Sequence, residues 1–203
     1  GGDTTASPTH VITLQVQGIV PSGAALTRHL AKAGDSIWLS GKIGQAAAAL
    51  PNILAHPENI RVEVTDSELT RAYFYPQAQI ALGQKLIGIA SSAMDISDGL
   101  LQDATHIAKA SEVCLDFALA DIPLSQCAID LHGHQQALQY ALSGGDDYQL
   151  LFTAPASAQA SLQQLGCYQV GQVVAKQTRP AVDDWVVING HSIENKNMGY
   201  QHF

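Results

Sequence analysis

The stretch LIGIASSAMDISDGLLQDATHIAKAS, residues 86–111, decides how the chain is read. Its first part, LIGIASSAMDIS, is an apolar run that predicts a buried strand. Residues 99–111 carry apolar side chains at helical spacing and predict a helix. Between them stand two carboxylates, Asp95 and Asp98, with Ser97 inside the pair and Gly99 after it. A strand end followed by a helix start is where open α/β sheets bind ligands, and the helix N-terminus offers N–H groups and a positive dipole end. Ser97 or Asp98 is expected to cap the helix, and Gly99 to let the backbone approach a ligand. Two carboxylates this close repel, and a divalent cation removes the conflict. Taken alone, the same residues also read as a helix cap beside a solvated aspartate.

Working outward, residues 10–20, HVITLQVQGIV, alternate with Ile12, Leu14 and Val16 on one face, which predicts a half-buried, antiparallel strand. PSG at 21–23 is a turn, and AALTRHLAK at 24–32 is expected to be a short helix. GDSIWLSG holds a short strand, and GQAAAAL at 44–50 a helix. The stretch PNILAHPENIRVEVTDSEL is expected to be loop. Residues 77–85 resume a helix. EVCLDFAL is a strand, 135–142 a helix, DYQLLFTA a strand and 156–165 a helix. YQVGQVV is a strand, and WVVINGHSI a hairpin turning at Asn189-Gly190. The expected class is α/β or α+β, with a boundary near Pro21.

Further acidic glycine clusters accompany Asp95 and Asp98. LSGGDDYQLLF, 142–152, puts Asp146 and Asp147 in a glycine loop before an apolar strand, and reads equally as an ordinary turn or as a ligand loop. GGDTT, 1–5, adds Asp3. Arg28 is a solvated helix residue or a phosphate-gripping fork. LSGKIGQAAAAL lacks the spacing of a phosphate-binding P-loop, so Gly41 and Gly44 read as turn residues. His132 and His134 have no third ligand to make a metal site.

With 46% hydrophobic and 14% charged residues, the 203-residue chain is expected to fold around a sizeable core. A net charge of −8 argues against a nucleic-acid partner. No apolar run reaches the length of a membrane helix, and no signal peptide is evident. The three scattered cysteines suggest neither a disulfide framework nor a zinc site, and a cytoplasmic setting is expected. The motif-like start predicts a piece of a longer protein.

GGDTT, VPSGAALTRHLAKAGDSIWLSG, AMDISDGLLQDATHIAKAS, LSGGDDYQLLFT and the terminal MGYQHF together resemble the thiamine-monophosphate kinase family, whose superfamily includes aminoimidazole ribonucleotide synthetase, selenophosphate synthetase and a hydrogenase maturation protein. The resemblance implies residues 1–20 as the remnant of a β-rich N-terminal domain that binds ATP and Mg²⁺, and 21–203 as a C-terminal α/β domain. It implies MgATP-dependent phosphorylation of thiamine monophosphate to thiamine diphosphate by a homodimer, with this chain inactive alone. Carried over by motif, Gly2, Asp3, Arg28 and Ser97 would contact ATP. Asp3, Asp95 and Asp98 would hold Mg²⁺, and Asp146 and Tyr200 would meet the substrate. Two departures stand out: the family loop often reads Ser-Gly-Gly-Glu-Asp, making Asp146 one methylene shorter, and Asn197-Met198 stand where an aromatic often precedes the terminal tyrosine. No residue is expected to act as general base, because the acceptor is already an anionic phosphate. The alternatives are a non-catalytic nucleotide- or Mg²⁺-binding module and a superfamily enzyme with another phosphate acceptor.

Overall fold

The computed structural model describes residues 8–9, 11–56, 67–176 and 185–193. Its strands are β1 (Ser36–Leu39), β2 (Ser92–Asp95), β3 (Val113–Phe117), β4 (Leu150–Ala154), β5 (Tyr168–Ala175), β6 (Val186–Ile188) and β7 (His191–Ser192). They form one seven-stranded sheet in the order β2-β4-β1-β5-β3-β6-β7. Every pairing is antiparallel except β3 with β6. The helices are α1 (Gln45–Ala55), α2 (Glu68–Phe74), α3 (Ile80–Leu86), α4 (Leu100–Ser111), α5 (Gln126–His132), α6 (His134–Ser143) and α7 (Gln159–Gln164). The chain is thus a mixed α/β domain in which a largely antiparallel sheet carries the core.

Alternation along β1 shows why the sheet is buried on both faces. Ile37 and Leu39 join Leu151, Val170 and Leu115 against one face of α4, formed by Leu100, Leu101, Ala104, Ile107 and Ala108. Those α4 positions recur at helical spacing and make a single apolar stripe. Trp38, between Ile37 and Leu39, points the other way and packs with Phe152, Leu86 and Leu162. A third cluster uses small residues, Ala48 and Ala49 of α1 with Ala128 and Ala137, so that α1, α5 and α6 sit close together. Among the described residues, no helix is long and apolar enough to cross a membrane.

Several sequence expectations are corrected. Residues 11–20 form no strand, and Ile12, Leu14 and Val16 are 83–89% exposed. A strand needs a partner for its backbone ladder, and no described strand lies beside this segment. Residues 24–32 are not helical, because their backbone groups are used sideways. Thr27 O accepts from Ala93 N (3.0 Å), while the Ser111 hydroxyl donates to Arg28 O (2.9 Å) and accepts from Ala31 N (3.2 Å). The predicted loop after Leu50 is partly helical. Helix α1 continues through Pro51 to Ala55, and α2 starts at an Ser67 cap whose hydroxyl accepts from Thr70 N. Proline costs α1 one hydrogen bond, which the close alanine packing offsets. The strand expected over 86–97 shortens to β2, since Leu86 closes α3 and residues 87–89 turn. Helix α5 was not foreseen. The 185–193 hairpin forms as expected, with Asn189 (φ 50°) and Gly190 (φ 79°) both left-handed, as a two-residue hairpin turn demands.

Candidate active site

The 95–99 loop leaves the end of β2 and meets the 144–149 loop, which enters β4. The β2–β4 pairing continues past the strands. Ile96 N donates to Gln149 O (2.8 Å), Tyr148 N to Ile96 O (2.8 Å), and Asp146 N to Ser97 O (3.0 Å). The structure therefore zips the DISDG and GGDDY motifs into one surface at a single end of the sheet. Asp95 and Asp146 are exposed there, and Ser97 and Asp98 half-buried.

Close approach explains the glycines. A Cβ on Gly145 would collide with the carbonyl oxygen of Ser97 and lie 3.5 Å from Asp98 Cα. The neighbouring backbone is strained: Asp146 has φ 66° and Tyr148 φ 50°. Aspartate tolerates the left-handed region, but a bulky tyrosine there is an outlier, costing about 1–3 kcal/mol. The three inter-loop hydrogen bonds hold it in place. The Tyr148 hydroxyl donates to Asp146 Oδ1 (3.1 Å). Burial, that hydrogen bond and the charges of Asp146, Asp95 and Asp98 all push the phenol up, so it stays protonated and donating.

The helix cap differs from expectation. Gly99 is the N-cap of α4, and neither Ser97 nor Asp98 caps it with a side chain. The buried Asp103, in the first turn, reaches back instead. Its Oδ2 accepts from Ser97 N (2.9 Å) and Asp98 N (3.1 Å), fixing the loop between the two candidate ligands. Burial raises its pKa, opposed by those two amides. Asp98 Oδ2 accepts from Gln102 Nε2 (3.3 Å). An acidic residue in the first helical turn was the available signal for Asp103. Tyr148 had none beyond its place in the motif.

Asp147 is a structural acid. Its Oδ2 accepts from Gly44 N (2.7 Å), and the carboxyl also accepts from the amides of Ala46 and Gln45. It caps α1 from 103 residues away, which no local pattern reveals. Burial pushes its pKa from 3.8 up to about 7 against those three amides. A folded-state pKa above the unfolded one means that its contribution to stability is full below pH ~4 and is lost as pH rises through ~7. The Asp147→Asn variant keeps an accepting oxygen and no titration. Wild type is therefore expected to lose stability relative to the variant between pH 4 and 7, by about 4 kcal/mol at most. Urea denaturation across that range reads the difference, and parallel pH profiles would contradict it.

The remaining site residues lie elsewhere. Arg28 is exposed, and its backbone meets Ser111 at the C-terminal end of α4, about 16 Å along the helix from Leu100. Gly2, Asp3 and Tyr200 lie outside the described residues. Among the described residues, no three His, Cys, Asp or Glu side chains gather as metal ligands. Mg²⁺ commonly takes one or two carboxylates and completes its shell with water and substrate phosphates. Asp95 and Asp98, hard oxygen donors on one ordered loop, fit that pattern, whereas Asp103 is committed to backbone amides.

A family model described as AIR synthase related protein, C-terminal domain, matches residues 32–183. The thiamine-monophosphate kinase of Haemophilus influenzae is 40% identical over 163 residues, covering 80% of this chain and 49% of that protein. The thiamine-monophosphate kinase of Escherichia coli K12 is 39% identical over 210 residues, covering 100% and 62%. The chain thus spans about half to three-fifths of the length of these curated relatives. A solved structure, AaThiL complexed with AMPPCP and TMP, is similar with a TM-score of 0.73 and 32% identity, covering 88% of this chain and 54% of that one.

Proposed function

The chain belongs to the family of AIR synthase related proteins, as its C-terminal domain, and on that premise we propose that it is the C-terminal part of an ATP-dependent thiamine-monophosphate kinase. The observation that carries this reading is the joining of the DISDG and GGDDY loops by three backbone hydrogen bonds. The kinases to which the chain is similar, and the complex with an ATP analogue and TMP, support it.

In this reading, an oxygen of the acceptor phosphate attacks the γ-phosphorus of ATP in line. The new P–O–P bond forms as the bond to the β-phosphate bridging oxygen breaks, and ADP leaves with that electron pair. The attacking oxygen is already anionic, so no side chain need remove a proton. Asp95 and Asp98 would hold Mg²⁺, which when bound neutralises phosphate charge. Ser97, its amide fixed by Asp103, presents its hydroxyl to the nucleotide. Asp146, oriented by Tyr148, faces the acceptor. By the family motifs, the Gly2-Asp3 pair and Arg28 would complete the nucleotide contacts, Arg28 reaching from the segment that Thr27 ties to Ala93 of β2, and Tyr200 would complete those of the substrate.

Residues 1–20 are proposed to belong to a preceding β-rich domain, which the exposed alternating face of Ile12, Leu14 and Val16 supports. That domain would bring further metal ligands and the homodimer contacts, in a cytoplasmic enzyme, a compartment in which thiols stay reduced. The full-length protein is expected to convert thiamine monophosphate and ATP to thiamine diphosphate and ADP. The 203-residue chain alone is expected to give no turnover. Product analysis by chromatography decides both points: no diphosphate from the full-length protein removes the kinase reading, and turnover by the chain alone removes the dependence on a preceding domain.

A further inference from the structure

The surface made by the 95–99 and 144–149 loops offers many acceptors and few donors. Asp95, Asp98 and Asp146 bring carboxylates to it. The amides of Ile96, Asp146 and Tyr148 are used in joining the loops, and those of Ser97 and Asp98 donate to Asp103. Gln149 turns its carboxamide oxygen to the Ser40 hydroxyl (2.7 Å) and lines a separate cleft. The hydroxyl donors that the two loops carry are Ser97 and Tyr148. Tyr148 stands between the acidic groups. Its hydroxyl is 3.1 Å from Asp146 Oδ1, and it lies close enough to Asp95 and Asp98 for both charges to act on it. A separation of 3.1 Å is long for two oxygens, so a more strongly accepting anion can take the hydrogen over. The side chain is 38% exposed and therefore open to a ligand. Its backbone, at φ 50°, is an outlier for a bulky residue, and strain of this kind collects at functional sites. Glycine or asparagine would take that φ more easily, so the turn alone does not call for a tyrosine.

We propose that Tyr148 is a catalytic residue: when both substrates are bound, its hydroxyl leaves Asp146 and donates to a non-bridging oxygen of the transferring phosphoryl group. This rests on the kinase reading, in which Ser97 and Asp98 face the nucleotide and Asp146 the acceptor. The phenol transfers no proton. As a fixed neutral donor it stabilises the charge carried by the phosphoryl oxygens while the old bond breaks and the new one forms.

The test is steady-state kinetics of the full-length protein with ATP and thiamine monophosphate. Tyr148→Phe keeps the ring and removes only the hydroxyl. It is expected to lower kcat about 30-fold, less than the loss of a fully enclosed donor because the site is open to water. Both KM values are expected to stay within about twofold, the mark of an interaction made in the transition state. Thermal unfolding is expected to be unchanged, since the lost hydrogen bond is exposed. Tyr168→Phe, at the start of β5, removes a phenol hydroxyl away from the two loops and is expected to leave kcat unchanged. A double-mutant cycle separates direct action from action through Asp146. In an Asp146→Ala background, adding Tyr148→Phe is still expected to cost about tenfold or more in kcat. Disappearance of the Tyr148→Phe effect in that background would overturn the proposal and leave the phenol only as the group that orients Asp146. So would a Tyr148→Phe variant with wild-type kcat, or one whose loss lies wholly in KM. The wild-type assay keeps the two failures apart: without turnover of thiamine monophosphate the kinase reading falls, and the assignment of the phenol falls with it.

Discussion

Replacing Asp95 by Asn in the full-length protein is expected to lower turnover at limiting Mg²⁺ by about 100-fold, equivalent to about 2.7 kcal/mol of transition-state stabilisation. Asp95 is exposed at the end of β2, and asparagine has the same shape, so the fold should be unaffected. What changes is one formal charge on a loop proposed to hold a divalent cation between carboxylate and phosphate. A single carboxylate can be partly replaced by raising the metal concentration, because Mg²⁺ also draws ligands from phosphates and water. The expected signature is thus a steeper and right-shifted Mg²⁺ dependence, with partial recovery at high Mg²⁺ and little change in thermal stability. Turnover close to wild type at limiting Mg²⁺ would remove Asp95 from the metal site. Equal losses at every Mg²⁺ concentration would give it a role other than metal binding.

How far the molecule was legible from its sequence depended on where each signal lay. The α4 helix and the strands flanking it followed from local periodicity, since a stripe such as Leu100, Ala104, Ile107 and Ala108 is written within a few turns. The DISDG and GGDDY motifs were recognisable, but not their contact, because hydrogen bonds between residues 96–97 and 146–149 carry no local trace. The same distance hid Asp147, which looks in sequence like a twin of Asp146 and serves instead as a cap for α1. Segments 11–20 and 24–32 failed for opposite reasons. The first has strand periodicity without a described partner. The second has helix-forming residues whose backbone is claimed by Ala93 and Ser111. Pro51 misled in a third way, since proline's local penalty was outweighed by the packing of Ala48 and Ala49. Local preference prevailed where it agreed with the tertiary hydrogen-bond pattern and lost where it did not.

The junction of the two loops makes a second large effect testable through a residue with no side chain. Gly145→Ala adds one methyl group, and that methyl meets the carbonyl oxygen of Ser97, a backbone atom that cannot rotate away. Gly145 does not have a left-handed φ, so an alanine there is penalised by space alone. Relief requires the Ser97–Asp98 segment and the Asp146 segment to separate, stretching the Asp146 N to Ser97 O bond of 3.0 Å. Overpacking of this kind costs about 1–3 kcal/mol, and a displacement near 1 Å between groups that hold two substrates in line can cost about 100-fold in rate. The full-length Gly145→Ala variant is accordingly expected to remain folded with a lowered Tm and to lose about 100-fold in kcat. Gly83→Ala is the control. Its added methyl finds Leu150 Cδ1 at an ordinary 3.9 Å inside α3, so helix propensity should make it neutral or slightly stabilising. If Gly145→Ala matched wild type in both Tm and kcat, the two loops would not be in the contact on which the site depends. A lowered Tm with unchanged kcat would confine that contact to stability and take the junction out of catalysis.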